Sequence, residues 1–194
     1  MDSAAPKELI LASSSVYRGE ALRTLGLAFR QQSPNIDEAA RPGEHPLQLV
    51  WRLTQAKAQH IQALNPHAWI IAGDQIGICN NEILTKPGTP LRAVQQLQRM
   101  RGQQQVFYSG LCVAAPGRLQ TTIVPTRLRM RNLSDAELEA YVAADNPVDC
   151  AGSFKAERQG IRLFHSIRSA DPSALVGLPL IALTTMLQRL SEAT

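Results

Sequence analysis

Apolar positions along the chain switch between unbroken or alternating runs, which suit strands, and spacings of three to four, which suit helices. Glu8 to Ala12 is an apolar, strand-like run followed by Ser13-Ser14-Ser15. A helix is predicted from about Val16 to Leu25, with Gly26 as its stop. Phe29 to Gln32 reads as a short strand, and Ser33 to Pro46 as a polar loop carrying Asp37 and Glu38. Pro46 opens a long helix to about Leu64, because proline is tolerated where a helix has no N–H to pair. Trp69 to Ile78 reads as a strand, turned by Asn80-Asn81 into Glu82 to Leu84.

In the second half, Thr89 caps a helix that Pro90 begins and Gly102 ends. Leu91, Val94 and Leu97 recur every third position there and are expected to form its apolar face. Val106 to Ala114 and Leu119 to Arg131 form a hairpin around Pro116-Gly117, an order that suits a type II turn. Arg127, Arg129 and Arg131 alternate with Leu128 and Met130, so period two puts the arginines on one face. That face is read as solvated rather than as a phosphate track. Ser134 and Glu137 make a capping box for a helix through Tyr141. Leu163 to Asp171 reads as a connection into a last helix, Pro179 to Leu190. Hairpins interrupt the βα units, so a curved mixed β-sheet flanked by helices is expected rather than a doubly wound parallel one. At 194 residues, a single domain over 1–194 is expected.

Composition narrows the class. With 44% hydrophobic and 19% charged residues the chain is not disordered. A net charge of +4 is too small and too scattered to call for a nucleic-acid polymer as partner. The cations are mostly arginines, so the few lysines, Lys7, Lys57, Lys86 and Lys155, each merit locating. Cys79, Cys112 and Cys150 have no CxxC or Cys/His spacing and read as reduced thiols, not zinc ligands. The apolar run Leu175 to Leu183 holds Pro179 and falls short of the roughly 20 residues that span a bilayer. No basic region begins the chain, so no leader is expected, and neither is a membrane; a cytoplasmic protein is.

Several residues carry candidate chemistry. Ser13, Ser15 and Arg18 stand where a strand meets a helix start, whose free N–H groups favour anions. They form either a phosphate cradle or an ordinary serine cap beside a surface arginine. Lys57 falls in the middle of the stripe Val50, Leu53, Ile61 and Leu64, where it must snorkel, pair, or meet an anion. Asp74 directly follows the apolar run Trp69 to Ala72 and Gly73, and a carboxylate at that depth needs a partner. Lys86 precedes Pro87, which pushes it to an extended, outward conformation. Gly152 to Glu157 reads alone as a polar loop. The four histidines share no ligand spacing.

Taken in order, Leu11 to Arg18, Asp37-Glu38, Lys57, Gly73-Asp74-Gln75, Lys86-Pro87, Ala151 to Lys155 and Gly177-Leu178-Pro179 resemble the Maf family of nucleoside triphosphate pyrophosphatases. The resemblance runs from about Glu8 to Leu190. It implies an elongated α/β fold with two lobes around a central cleft, like inosine triphosphate pyrophosphatases, and often a homodimer. It implies hydrolysis of a nucleoside triphosphate between the α- and β-phosphates, with Mg²⁺ or Mn²⁺ as cofactor. Ser13, Arg18, Glu38, Lys57, Asp74 and Lys86 align with the family's functional polar residues, and Asp74 with its proton acceptor. Whether Asp74 and Glu38 act as base or as metal ligands stays open at this stage.

Within the family, Tyr17, Gln75 and Glu157 resemble the branch acting on 7-methyl-GTP, where the dTTP/UTP branch has arginine, threonine and glutamine. Tyr17 matches by class, since tryptophan is usual there, and Gly19 stands where a second arginine is common. Physics agrees: 7-methylguanine is cationic, and an aromatic face attracts a cation by about 0.5–2 kcal/mol. A glutamate can accept from the guanine edge while offsetting that charge. The alternatives are the same chemistry on dTTP/UTP or another modified nucleotide, or a nucleotide-binding regulator of septum formation with little turnover.

Overall fold

The computed structural model describes residues 8–192; Lys7 and the first residues read above for a leader lie outside them. A seven-stranded sheet carries the fold, in the order β2-β1-β3-β5-β6-β7, with β4 paired to β3. The strands are β1 Leu9–Ala12, β2 Arg30–Gln31, β3 Trp69–Cys79, β4 Glu82–Leu84, β5 Gln104–Ala115, β6 Arg118–Met130 and β7 Phe164–Ser169. The helices are α1 Val16–Arg23, α2 Pro46–Leu64, α3 Pro90–Met100, α4 Asp135–Asp145 and α5 Leu180–Glu192. β1 runs parallel to β2 and β3, whereas β3–β4 and β6–β7 are antiparallel. The sheet is therefore mixed, as expected. No helix among the described residues is long and apolar enough to cross a membrane.

The chain divides into two compact units, one of residues 8–75, 109–124 and 171–192, the other of 76–108 and 125–170. In the first, side-chain alternation sorts the strands into two apolar layers. Leu9, Leu11, Trp69, Ile71, Leu111 and Val113 pack with Leu22 of α1 and Leu183, Met186 and Leu190 of α5. Ile10, Ala12, Ile70, Ala72, Cys112 and Ala114 pack instead with Ala58 and Ile61 of α2. The register sets Ile10 beside Ile70 and Ala12 beside Ala72, so the two faces stay in phase across strands. In the second unit, Phe107, Phe154 and Phe164 stack edge to face, with centroids 5.4 and 4.8 Å apart. Gly77 makes room for them: a Cβ there would come within 2.5 Å of the Phe107 ring.

Four expectations change. Leu91 is exposed and the buried face of α3 is Ala93, Gln96, Leu97 and Met100, because the period is 3.6 rather than three. Leu64, the last residue of α2, is exposed and leaves the stripe. The connection 163–171 contains a strand, β7, which pairs with β6 from Thr126 to Met130. Residues 152–155 are buried rather than a polar loop: Ser153 Oγ donates to Gln96 Oε1 at 2.6 Å, and the Lys155 N–H donates to the Tyr141 hydroxyl at 3.0 Å.

Helix α2 lies directly on β5, and Gly110 permits it. A Cβ at Gly110 would sit 2.2 Å from Thr54 Oγ1 and 2.9 Å from Val50 Cγ1. Gly110→Ala is therefore expected to cost about 1–3 kcal/mol, read by urea denaturation. Thr54→Ala should return part of the loss, and full stability in Gly110→Ala alone would refute the close approach.

Candidate active site

Parity along β3 decides what the site contains. Asp74 shares the face of Ala72, the face that α2 covers, whereas Gly73 and Gln75 point the other way. Strand β3 continues through Asp74 to Cys79, as the reading of 69–78 expected, so the carboxylate sits inside a strand. Lys57 projects from the buried stripe of α2, and its Nζ donates to Asp74 Oδ1 at 2.6 Å. It also pairs with Glu38 Oε1 at 2.9 Å. Lys57 is 5% exposed and Asp74 6%. Of the three readings for Lys57, pairing is the one observed. Oδ2 of Asp74 and Oε2 of Glu38 have no hydrogen-bond partner among the described residues.

Glu38 owes its place to a clamp that the sequence did not reveal. Arg52 of α2 grips Glu44 through two bonds, Nε to Oε1 at 2.6 Å and Nη2 to Oε2 at 2.7 Å. The same Nη2 donates to the Ala39 carbonyl at 2.9 Å, one residue after Glu38. Such a fork fits a carboxylate in a way that lysine could not. The Arg52 bond holds the Glu44 carboxyl down at about 2. Glu44 and Arg52 lie eight residues apart across a loop and a helix start, which no short-range pattern announces.

On the opposite face of β3, Arg18 Nε donates to the Gly177 carbonyl at 2.9 Å, and Nη1 donates to Ser13 Oγ at 3.4 Å. Ser13 is buried. Ser15 caps α1, accepting from the Arg18 N–H. The serine run thus caps the helix start, and Ser13 also holds the arginine, which is half-buried rather than on the surface. Loss of solvent lowers the Arg18 pKa, and Asp74 and Glu38 act against that shift. The guanidinium stays charged in any case. Tyr17 is half-buried on the first turn of α1. Gln75 is tied down: its Nε2 donates to Ser109 Oγ at 2.9 Å and to the carbonyls of Ala174 and Leu175 at 2.9 and 3.1 Å. Its amide nitrogen is occupied, and only its Oε1 is left to meet a ligand.

Ser13, Arg18, Glu38, Lys57, Asp74 and Gln75 thus gather in the first unit. Lys86 and Glu157 belong to the second, where both are exposed and neither has a salt bridge among the described residues. No group of three or more histidines, cysteines and carboxylates able to hold a metal occurs among the described residues. Asp74 and Glu38 are the carboxylates present at the cluster.

Known proteins agree on the class. Residues 8–190 match the family described as Maf-like protein. A 7-methyl-GTP pyrophosphatase of Nitrosococcus oceani is 43% identical over 191 residues, 97% of this chain and 96% of that one. Proteins of the same name from Bordetella pertussis and Pseudomonas aeruginosa are 47% and 45% identical. They align over 96% and 93% of this chain and 94% and 95% of their own lengths.

Two predictions follow from this geometry. Lys57→Met removes one partner of a buried pair and leaves Asp74 uncompensated, a loss of about 3–5 kcal/mol. Adding Asp74→Asn should restore much of the thermal stability; if the double variant is no more stable than Lys57→Met, the pair is not the reason. The Glu44 clamp should also depend on pH. Its folded-state pKa lies below the unfolded one, so its stabilisation is full above about 4.5 and is lost as pH falls through about 2. Limited proteolysis of the 37–44 loop by an acid protease should rise over that window in the wild type. In Arg52→Ala it should already be high at pH 5.

Proposed function

The chain belongs to the Maf family, and on that footing we propose that it hydrolyses 7-methyl-GTP to 7-methyl-GMP and pyrophosphate. The observation that carries the reading is Asp74, fixed inside a strand with one oxygen bound to Lys57 and the other unbonded among the described residues. A base must be aimed, and the Lys57 bond fixes the carboxylate by its other oxygen. The unbonded oxygen takes a proton from water as the water oxygen attacks the α-phosphorus. The bond from that phosphorus to the α–β bridging oxygen breaks, and pyrophosphate leaves with the electron pair. Arg18 keeps unengaged N–H donors for the phosphates, because a backbone carbonyl and a hydroxyl occupy only Nε and Nη1. The family resemblance assigns Lys86 to the phosphates as well.

Charge counting argues for a divalent metal. Arg18 and Lys57 stand against Asp74 and Glu38, so the cluster is close to neutral before substrate arrives. A nucleoside triphosphate brings about four negative charges, which a neutral cluster cannot offset. Glu38, through its second oxygen, would hold Mg²⁺ or Mn²⁺ together with substrate phosphate oxygens, which leaves the unbonded oxygen of Asp74 for the proton; such sparse carboxylate ligation suits these ions. When bound, the ion would neutralise charge building on the phosphate oxygens. Tyr17 offers an aromatic face to the cationic base, and the family resemblance assigns Glu157 the carboxylate that would offset its charge.

The test is a panel of 7-methyl-GTP, GTP, dTTP and UTP, with pyrophosphate detection and Mg²⁺, Mn²⁺ or chelator. The 7-methyl-GTP rate should lead and should fall with chelator, and Asp74→Asn should lose about 10²–10⁴-fold. Glu157→Gln should lose roughly tenfold more on 7-methyl-GTP than on GTP, the size of one charge-assisted bond. A lead for dTTP or UTP would move the chain to the other branch, and no turnover on any would favour a binding role.

A further inference from the structure

Asp171 is 3% exposed and lies outside the cluster just described. Its Oδ1 accepts from the Ser173 N–H at 3.2 Å and from the Ser173 hydroxyl at 2.5 Å. Its Oδ2 accepts from the N–H groups of Ile181 and Ala182 at 2.8 and 3.1 Å. Ser173 Oγ in turn accepts from the Leu180 N–H at 2.7 Å. One carboxylate and its serine therefore satisfy three opening N–H groups of α5 and also start the 3₁₀ turn Pro172–Val176. An acid at that helix start is favoured by the dipole, but a solitary cap would not need to grip two elements at once.

What the two elements hold between them is Gly177. It closes the 3₁₀ turn with a φ of 98°, a conformation that a side chain would strain. Its carbonyl is the acceptor for Arg18 Nε. It also rests against β3, since a Cβ on Gly73 would lie 3.2 Å from that same oxygen. Gly73 directly precedes Asp74. The Ala174 carbonyl of the turn accepts from both Ser109 Oγ and Gln75 Nε2, the residue after Asp74. The turn is thus stitched to β3 on either side of Asp74, and Asp171 fixes where the turn sits.

We propose that Asp171 is a positioning residue for Arg18: by tying the turn to α5 it sets the Gly177 carbonyl, and with it where the guanidinium meets a phosphate. This rests on the reading of Arg18 as a phosphate ligand. Asp171→Asn is the direct probe, because whichever way the amide turns, its NH₂ faces backbone N–H donors it cannot accept from, those of Ile181 and Ala182 or that of Ser173. Misplacing a binding group slightly costs activity steeply, so kcat/KM should fall roughly tenfold to a hundredfold.

A double-mutant cycle with Arg18→Ala separates positioning from simple stability. In the Arg18→Ala background, Asp171→Asn should change kcat/KM by no more than about threefold, while its loss in Tm stays the same in both backgrounds. If the activity losses multiply instead, or if Asp171→Asn keeps wild-type activity, the proposal fails while the Arg18 reading stands. If Arg18→Ala alone keeps full activity, the Arg18 reading fails and takes this proposal with it. Should Asp171→Asn not fold, Ser173→Ala breaks the same junction more gently. The same cycle then applies, with a smaller loss expected in the wild-type background and the same multiplication as the overturning result.

Discussion

Lys57 carries a full charge into the interior of the first unit, and a buried ammonium is tolerable only if opposite charge meets it there. Helix α2 cannot supply that charge itself, since every other buried residue on its inner face is apolar or threonine. The carboxylates come from elsewhere: Asp74 from inside β3 and Glu38 from the loop before α2. One cation therefore fixes the mutual placement of a helix, a strand and a loop. The strand partner is buried and geometrically rigid, whereas the loop partner is 57% exposed along its side chain. The first bond sets the architecture; the second can yield to a ligand at little cost, as exposed ion pairs do.

The alternation of β3 distributes the remaining chemistry. Ala72 and Asp74 face α2, while Gly73 and Gln75 face the turn before α5. Polar groups on the two faces are treated differently. Asp74 keeps an oxygen unbonded among the described residues, whereas the Gln75 amide nitrogen is divided among three acceptors. A buried amide left unpaired would cost about 1–3 kcal/mol, so Gln75 serves first to anchor the turn. A threonine there would carry a shorter donor, which gives that position a structural reason to matter alongside any contact with the base.

Local chemistry made much of this legible from residues alone. Pro46 and the apolar stripe gave α2 its bounds, and Asn80-Asn81, both with positive φ, turn β3 into β4. Lys57 and Asp74 stood out because a charge in an apolar pattern demands a partner, and the partner proved to be each other. What stayed hidden depends on distance along the chain. β7 alternates poorly, as Phe164 is buried but His165 and Ser166 are both exposed, so period two does not announce it. Its strand identity comes from β6 beside it. Residues 152–155 look polar, yet Gly152 admits the Phe107 ring and Ser153 finds Gln96, both remote in sequence. Arg52 and Glu44 act across eight residues with no spacing signature, and Asp171, although its cap on Ser173 is local, reaches ten and eleven residues on to α5.

The two cations of the cluster differ in how their charge is spent. Lys57 is held by carboxylates, so much of its field is already cancelled within the protein. Arg18 is held by a backbone carbonyl and a hydroxyl, which orient it without neutralising it. Loss of solvent makes that choice expensive, as the lowered pKa records, and Asp74 and Glu38 relieve it only through space. A desolvated guanidinium with neutral anchors and spare N–H donors is a group whose charge is still to be satisfied. An anion entering the site gains most there, because the anchors leave the guanidinium's charge uncancelled and its spare donors need not be freed. Lys57 therefore organises and Arg18 receives, a division of labour set by the chemistry of their anchors rather than by the cations themselves.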